Sequence, residues 1–176
     1  MITFTGDGDI VLKHTVTPFG DELNYLQRVG IEMRLPQEMQ NFSWYGRGPF
    51  ETYPDRKTGA KIGIYESTVD EQYVPYVFAQ EHGNKTDVRW AKLTNAEGVG
   101  LAFFAEALMG VNASNFDPGN VDRARYGFQL KKVDYVTLNL DHAASGVGDR
   151  PVPVRWQYRA RPHPYQYTIT IRPISK

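Results

Sequence analysis

The chain has 176 residues, which is enough for one domain with its own hydrophobic core. Its 20 basic residues balance its 20 acidic residues, and no apolar run approaches a membrane span, so we expect neither nucleic acid nor a membrane as a partner. Cysteine is absent, which excludes disulfides and thiolate metal sites and leaves the cellular compartment open.

The first part of the chain predicts short strands separated by turns. Residues 2–5 and 10–17 are predicted strands, and residues 6–9 (Gly-Asp-Gly-Asp) between them are a turn signal. An Asp-Gly-Asp run could also begin a calcium-binding loop, but the later ligands of such a loop are missing, so we predict a plain turn. Residues 29–35 alternate apolar and polar side chains, which indicates a half-buried strand, and residues 41–45 form the next one.

The remainder of the chain predicts more strands and one short helix. Asp117 followed by Pro118 is typical of a helix N-cap with proline at the first helical position, so residues 120–126 are predicted as a short helix. Residues 141–153 are rich in glycine, alanine and proline and are predicted as a long loop. Further strands are predicted at residues 60–66, 73–78, 86–90, 99–105, 106–114, 135–140, 155–158 and 165–172.

About ten to twelve short strands without a βαβ rhythm are typical of an antiparallel β-sandwich. We therefore predict an all-β fold, with one sandwich domain that spans residues 1–176. The period-two alternation also predicts which side chains face the core. The predicted core residues are Phe4, Val11, Ile31, Met33, Trp44, Val88, Leu101, Phe103, Leu138, Ile169 and Ile171.

The chain is organised around a dense polar run that follows the strand at residues 41–45. Guanidinium groups bind carboxylates through two parallel hydrogen bonds, so we expect Arg47 and Arg56 to hold Glu51 and Asp55 in a rigid loop. We favour a structural, salt-linked corner here. A sugar-binding or catalytic loop is the alternative.

Glu81 and His82 form a second pair that invites a catalytic or metal-binding interpretation. No second histidine lies at ligand spacing, and metal sites need converging ligands. We therefore predict that Glu81 is a structural, hydrogen-bonded carboxylate. We predict no catalytic residue, no metal ligand and no cofactor in this chain.

The polar run also carries a family resemblance. Residues 44–56, Trp-Tyr-Gly-Arg-Gly-Pro-Phe-Glu-Thr-Tyr-Pro-Asp-Arg, resemble the signature of the C-terminal small-chain domain (domain 5) of family 2 β-galactosidases. Gln27 and Ala79 stand where the family pattern has proline. The resemblance covers nearly the whole chain, and the ordered set of motifs is more specific than any one of them. The other matching segments are residues 26–30, 76–83, 87–90, 138–141 and 146–148.

The resemblance implies a larger enzyme and a place within it. The sandwich would be part of a galactose-mutarotase-like supersandwich, and the chain would be a C-terminal fragment. A catalytic barrel upstream would supply the two carboxyl groups that hydrolyse terminal non-reducing β-D-galactose residues. The implied partners are the upstream domains of the same enzyme and, in the intact enzyme, a galactoside substrate. Exposed sheet edges could also drive association into a homo-oligomer.

The resemblance implies one substrate-binding residue, Trp156. In the family, a Gly-Val-Gly loop leads to a tryptophan that forms an aromatic platform at the sugar site, and here residues 146–148 lead through residues 149–155 to Trp156. Aromatic faces suit this role because they cover the apolar face of a pyranose. The family's Gly-Asp-Asp-Ser before the tryptophan is absent and the spacing is longer. The alternative is that Trp156 is a strand residue packed in the sandwich.

Two functions from different classes follow. The first is an accessory domain of a β-galactosidase that completes the structure of the enzyme and lines one wall of its sugar site. The second is a free-standing carbohydrate-binding module or lectin. An aldose 1-epimerase would share the implied fold, but it would need a histidine base and a glutamate facing a cleft, and no such pair stands out. In the first function the fragment alone should not hydrolyse glycosides, because it lacks the catalytic carboxylate pair.

Overall fold

Nine antiparallel strands dominate the computed structural model, which describes residues 1–20, 23–148 and 152–175. The described residues also include one α-helix, α1 (Pro118–Arg123), and three short 3₁₀ turns, at Asp70–Gln72, Gly127–Gln129 and Trp156–Tyr158. The predicted all-β sandwich is confirmed. The strands are β1 (Ile2–Phe4), β2 (Ile10–Val16), β3 (Arg28–Pro36), β4 (Asn41–Gly48), β5 (Lys61–Thr68), β6 (Lys85–Thr94), β7 (Gly100–Phe116), β8 (Lys132–Ala144) and β9 (Tyr165–Ile174).

The long strand β7 is where the sheet divides. Along one edge of β7, residues 100–105 pair with β9 and residues 110–116 pair with β8. Strand β6 pairs along the opposite edge and leads on to β4 and β5. One branch therefore runs through β9 and β2 to β1, and the other runs through β8 to β3.

The middle of strand β8, residues 136–141, is buried on both of its faces. Val136, Leu138 and Leu140 belong to the hydrophobic core. The residues that alternate with Leu138 and Leu140, Asn139 and Asp141, lie on the opposite face and are also buried. A layer of buried polar side chains therefore lies behind this part of the core.

The predicted core is largely confirmed. Trp44, Val88, Phe103, Leu138, Ile169 and Ile171 are buried, whereas Ile31, Met33 and Leu101 are partly buried and pack against the core.

Two core predictions are wrong. Phe4 is 75% exposed because it lies in the short strand β1, whose only described neighbour is β2. Val11 is partly buried but lies outside the core, because Ile10, Leu12 and Val16 are the residues of β2 that pack against the core. A change of one residue in strand phase moves a side chain to the other face.

Several element boundaries also differ from prediction. Residues 73–78 are not a strand, and only Phe78 forms an isolated bridge, to Tyr126. Pro75 lacks the amide hydrogen that a continuous ladder needs. Residues 155–158 contain a 3₁₀ turn instead of a strand. The strands predicted at 99–105 and 106–114 are one strand, β7, so the total is nine among the described residues.

The helix and the long loop were predicted in the right places with the wrong limits. Helix α1 begins at Pro118 and ends at Arg123, and the Asp117 side chain caps it by accepting from the Asn120 amide at 3.3 Å. The loop begins later than predicted, because Asp141 to Ala144 continue β8. Residues 149–151 of that loop lie outside the described residues.

Candidate functional site

The predicted salt-linked corner exists at Glu51. Arg56 donates to Glu51 Oε1 at 2.5 Å, and the Tyr76 hydroxyl donates to the same oxygen. The backbone amide of Gly83 donates to Glu51 Oε2 at 2.8 Å. The Glu51 side chain is 9% exposed, so both of its oxygens are engaged in a nearly buried position. The corner therefore joins the polar run to the segment that carries Glu81.

Arg47 does not bind Glu51 or Asp55, which corrects the expected pairing. Its guanidinium donates to Asp87 at 2.5 Å and to the carbonyl of Ala60 at 2.8 Å. Lys57 also lies 3.0 Å from Asp87. Burial opposes ionisation of Asp87, but the hydrogen bonds from Arg47 and Lys57 outweigh it and lower the pKa of Asp87.

Asp55 binds backbone amides instead of an arginine. Its two carboxylate oxygens accept from the amides of Val147 and Gly148, at 3.2 and 2.8 Å. A Cβ atom on Gly146 would lie 2.3 Å from the Asp55 carboxyl carbon, so only glycine permits this approach. The structure thus brings together two segments that carry the family resemblance, residues 44–56 and 146–148.

A polar cleft of about 250 Å³ lies beside this junction. It opens next to a wider groove of about 1030 Å³, and the two spaces share Tyr25, Arg56, Gln80, Val147 and Val154. Most of the side chains that line the cleft can form hydrogen bonds. They include Gln27, Arg28, Tyr53, Gln80, Glu81 and Asn84.

Arg28 joins two carboxylates at the cleft. It donates to Glu81 Oε1 at 2.5 Å and lies 3.5 Å from Asp141 Oδ2. Asp141 is 2% exposed, and its Oδ2 atom has no hydrogen-bond partner. Burial raises the pKa of Asp141 to about 6, against the effect of Arg28. Glu81 is hydrogen-bonded, as predicted.

His82 is held away from the cleft by its ring contacts. The ring packs edge-on against Tyr73, with centroids 5.1 Å apart, and also contacts Phe116. Its Nδ1 atom lies 2.9 Å from the carbonyl of Gln80. These contacts suit a buried structural histidine.

Two buried polar atoms of the cleft residues have no partner. They are Tyr53 Oη and Asn84 Oδ1, and each residue is 2% exposed. The Asn84 amide nitrogen donates to the carbonyl of Thr52 at 2.8 Å, which fixes the orientation of the side chain. Burial raises the pKa of Tyr53, and the nearby Glu81 and Glu51 raise it further, so the hydroxyl stays neutral. Sequence analysis singled out neither residue, and only the position of Tyr53 inside the motif at 44–56 could have drawn attention to it.

Lys85 is a buried cation that the sequence analysis also missed. Lys85 is 1% exposed. Its Nζ atom donates to the Gly83 carbonyl at 3.1 Å and lies 5.1 Å from the centre of the Trp44 ring. Burial lowers the pKa of Lys85 to about 8, although Glu51 acts in the opposite direction. No periodicity in the sequence distinguishes this lysine from an exposed one.

Trp156 is not a core residue, so the alternative of a packed strand residue is wrong. It is 68% exposed and begins a 3₁₀ turn. The guanidinium of Arg161 lies 6.0 Å from the ring centre. The described residues that line the 250 Å³ cleft and its neighbouring groove do not include Trp156.

A turn lies at residues 6–9, as predicted. The Gly8 amide donates to the Thr5 carbonyl at 3.1 Å, and both carboxylate oxygens of Asp9 accept from Arg172, at 2.9 and 2.7 Å. Within the described ranges, no group of three or more histidine, aspartate or glutamate side chains is arranged to hold a metal ion. No helix in the described part of the chain is long and apolar enough to cross a membrane.

Comparison with known proteins gives a family match over most of the chain. A family model described as "Beta galactosidase small chain" matches residues 2–171. A beta-galactosidase of Priestia megaterium is 32% identical over 98% of this chain and 17% of its own length. A beta-galactosidase of Vibrio cholerae is 35% identical over 95% of this chain and 16% of its own length. One of Kluyveromyces lactis is 34% identical over 82% of this chain and 14% of its own length. The chain therefore spans no more than 17% of the length of these relatives.

Proposed function

Because the chain belongs to the beta-galactosidase small chain family, we propose that it is the C-terminal accessory domain of a family 2 β-galactosidase. The intact enzyme would hydrolyse terminal non-reducing β-D-galactose residues. The observation that carries the proposal is the family match over residues 2–171, in a chain that covers only 17% and 16% of two beta-galactosidases. The rest of such an enzyme would include the catalytic barrel.

The state of the carboxylates supports an accessory role. A retaining glycosidase needs two carboxyl groups about 5 Å apart, one on each side of the scissile bond. Glu51 is occupied by Arg56, Tyr76 and Gly83, and Asp55 is occupied by backbone amides. Glu81 is paired with Arg28. These contacts hold the three carboxylates in structural positions, so we assign bond cleavage to the rest of the enzyme.

Two features support a structural role beside the sugar site. Strand β1 has a described neighbour on one edge only, and a larger supersandwich would cover its other edge. Trp156 presents a largely exposed aromatic ring, which could cover the apolar face of a pyranose. We therefore propose that residues 1–176 form one sandwich domain within a supersandwich, and that Trp156 binds substrate in the intact enzyme.

The proposal is tested by recovering the complete reading frame that encodes this chain. Three proteins would be compared on a chromogenic galactoside: the complete protein, the 176-residue chain alone, and the complete protein without these residues. We expect turnover by the complete protein, none by the chain alone, and strongly reduced turnover by the truncated protein. A reading frame that encodes this chain alone, in a protein that binds galactosides without hydrolysing them, would instead establish a lectin.

A further inference from the structure

We propose that a row of apolar side chains on the outer face of the sheet docks against the rest of the polypeptide in the complete enzyme. This row, which we term the outer stripe, consists of Ile64, Tyr45, Trp90 and Phe104. The inference rests on the proposed function only in taking this chain as part of a longer protein. It adds the surface through which the chain is held there.

Strand register places the four residues of the outer stripe in one line. Tyr45 on β4 is the Cα partner of Ile64 on β5 and of Trp90 on β6. Trp90 is in turn the partner of Phe104 on β7. Residues directly opposite one another in neighbouring strands project from the same face of a sheet. The outer stripe therefore crosses four strands, a length of roughly 14 Å, and it ends at β5, whose only described neighbour is β4.

The outer stripe lies on the face of the sheet that points away from the core. The residues adjacent to its three aromatic members, Trp44, Ala91 and Phe103, are at most 1% exposed and belong to the core. Side chains alternate between the two faces of a strand, so the outer stripe projects outwards, where an antiparallel sheet usually carries polar residues. Its aromatic residues are partly buried and Ile64 is 65% exposed. Contiguous apolar surface of this kind marks an interaction site.

Strand β6 is irregular next to the outer stripe. Its register with β7 shifts between Val88 and Trp90, and Asp87 has a φ of 55°, which is uncommon for a residue other than glycine. Bulges re-aim side chains and are common beside functional sites. Here the guanidinium of Arg89 lies 5.1 Å from the centre of the Tyr45 ring. Tryptophan, tyrosine and arginine are the residue types most enriched among those that dominate protein–protein binding energy.

A protein surface suits the outer stripe better than a small molecule or an anion does. None of its four residues lines the 250 Å³ cleft or the 1030 Å³ groove, and small-molecule sites are concave. Two arginines that flank the outer stripe are already paired, Arg47 with Asp87 and Arg172 with Asp9. A phosphate group would have to compete with these carboxylates.

The size of the outer stripe favours a segment of the same polypeptide over a second copy of the chain. Stable complexes between separate chains usually bury about 800 Å² on each partner, which one row of four side chains does not supply. A covalently linked domain has a high effective concentration, so a smaller interface is enough. This chain covers only 17% and 16% of two of its relatives, so most of such an enzyme lies outside it. We assign the apolar surface that covers the outer stripe to that remainder.

The test measures whether position 64 is covered in the complete protein. The chain contains no cysteine, so Ile64→Cys places its single thiol on the outer stripe. The matched control is Val99→Cys, in the connection between β6 and β7, because Val99 is also an exposed apolar residue. Maleimide labelling is read from the peptides of this chain by mass spectrometry. We expect the rate at position 64 to be roughly tenfold or more lower in the complete protein than in the isolated chain, with little change at position 99, because a covered thiol reacts only when the interface opens.

Ile64→Lys tests whether the contact stabilises the complete protein. In the isolated chain the lysine lies in water, so the melting temperature should stay within about 2 °C of the parent value. In the complete protein the same lysine is buried against an apolar surface, so the melting temperature should fall clearly. Val99→Lys should leave both melting temperatures near those of the parent proteins.

Three results would overturn the inference. The first is an equal labelling rate at position 64 in the complete protein and in the isolated chain. The second is protection in the isolated chain that disappears on dilution, which would assign the outer stripe to a second copy. The third is protection that requires an added galactoside, which would make the outer stripe a ligand site.

The same experiments separate the inference from the proposed function. Hydrolysis of galactosides by a complete protein in which position 64 stays reactive would refute the docking surface alone. Protection of position 64 in a complete protein that hydrolyses no galactoside would refute the galactosidase role alone. A reading frame that encodes this chain alone would refute both.

Discussion

The Asp55 carboxylate accepts a hydrogen bond at 2.8 Å from the backbone amide of Gly148, which lies 93 residues further along the chain. The adjacent amide of Val147 binds the other carboxylate oxygen. Asp55 therefore anchors the loop at residues 146–148 to the corner at residues 44–56. In the proposed function that loop leads towards Trp156, which would bind the substrate. The hydrogen bonds to Asp55 would then help to position this tryptophan at the sugar.

We expect Asp55→Ala to lower the free energy of unfolding by about 2 kcal/mol, because two backbone amides lose a charged acceptor. For a chain of this size, that corresponds to a fall in melting temperature of roughly 4–8 °C. Asp55→Asn keeps one acceptor oxygen and should cost less. Asp134→Ala removes an exposed carboxylate on β8 and is the control. Equal melting temperatures for Asp55→Ala and the control would contradict the anchoring role.

Glu51 should contribute more to stability than Arg56. Glu51→Ala leaves the Arg56 guanidinium, the Tyr76 hydroxyl and the Gly83 amide without their acceptor, so we expect a loss of about 3 kcal/mol. Arg56→Ala should cost about 1 kcal/mol, because the arginine side chain is 48% exposed and Glu51 keeps its other two donors. Thermal unfolding of both variants tests the order. An unchanged melting curve for Arg56→Ala, together with lost sugar binding, would make this corner a functional loop.

Asp141 should make stability depend on pH. Burial raises its pKa from about 3.8 to about 6 in the folded chain, so between these values the folded state binds more protons than the unfolded state. The contribution of Asp141 to stability is therefore full below about pH 4 and is lost as the pH rises to 6. Asp141→Asn resembles the neutral acid and should be more stable than the parent chain at pH 7.5, by up to about 3 kcal/mol. Melting temperatures at pH 4 and pH 7.5 test this, and a stability gap that does not shrink at pH 4 would disprove it.

Lys85 should show the opposite pH dependence. Its pKa in the folded chain, about 8, is below the ordinary value of 10.5, so the unfolded state binds more protons between these values. Its contribution to stability should therefore increase as the pH rises from 8 to 10.5. Lys85→Met keeps an apolar side chain near Trp44 and should raise the melting temperature at pH 7. A lower melting temperature at pH 7 would mean that the charged amine is stabilising in this position.

Trp156→Ala should separate binding from stability in the intact enzyme. The side chain is largely exposed, so its removal should change the melting temperature little. If Trp156 covers a pyranose in the substrate complex, the Michaelis constant for galactosides should rise clearly. Phe128→Ala is a suitable control because Phe128 is also an exposed aromatic residue. A destabilised Trp156→Ala enzyme with an unaltered Michaelis constant would exclude the substrate contact.

The sequence by itself predicted most of the features that depend on neighbouring residues. Alternation of apolar and polar side chains located the strands at 29–35 and 165–172, and the Asp117-Pro118 pair located α1. Strand phase and strand length were predicted less accurately, as Val11 and the undivided strand β7 show. Bulges and edge positions change the exposure of a side chain without changing the local sequence pattern.

The partners of the polar side chains were decided only by the tertiary structure. From the sequence, Arg47 was expected to bind a carboxylate a few residues away, yet it binds Asp87, which is 40 residues distant. Asp55 binds amides at positions 147 and 148, and Tyr53 and Asn84 line a cleft that the sequence analysis did not predict. Residue type determines that a buried charge must find a partner, but strand pairing and register determine which partner lies within hydrogen-bonding distance. The alternating pattern therefore specified an all-β chain, and the folded arrangement of its strands specified the candidate site.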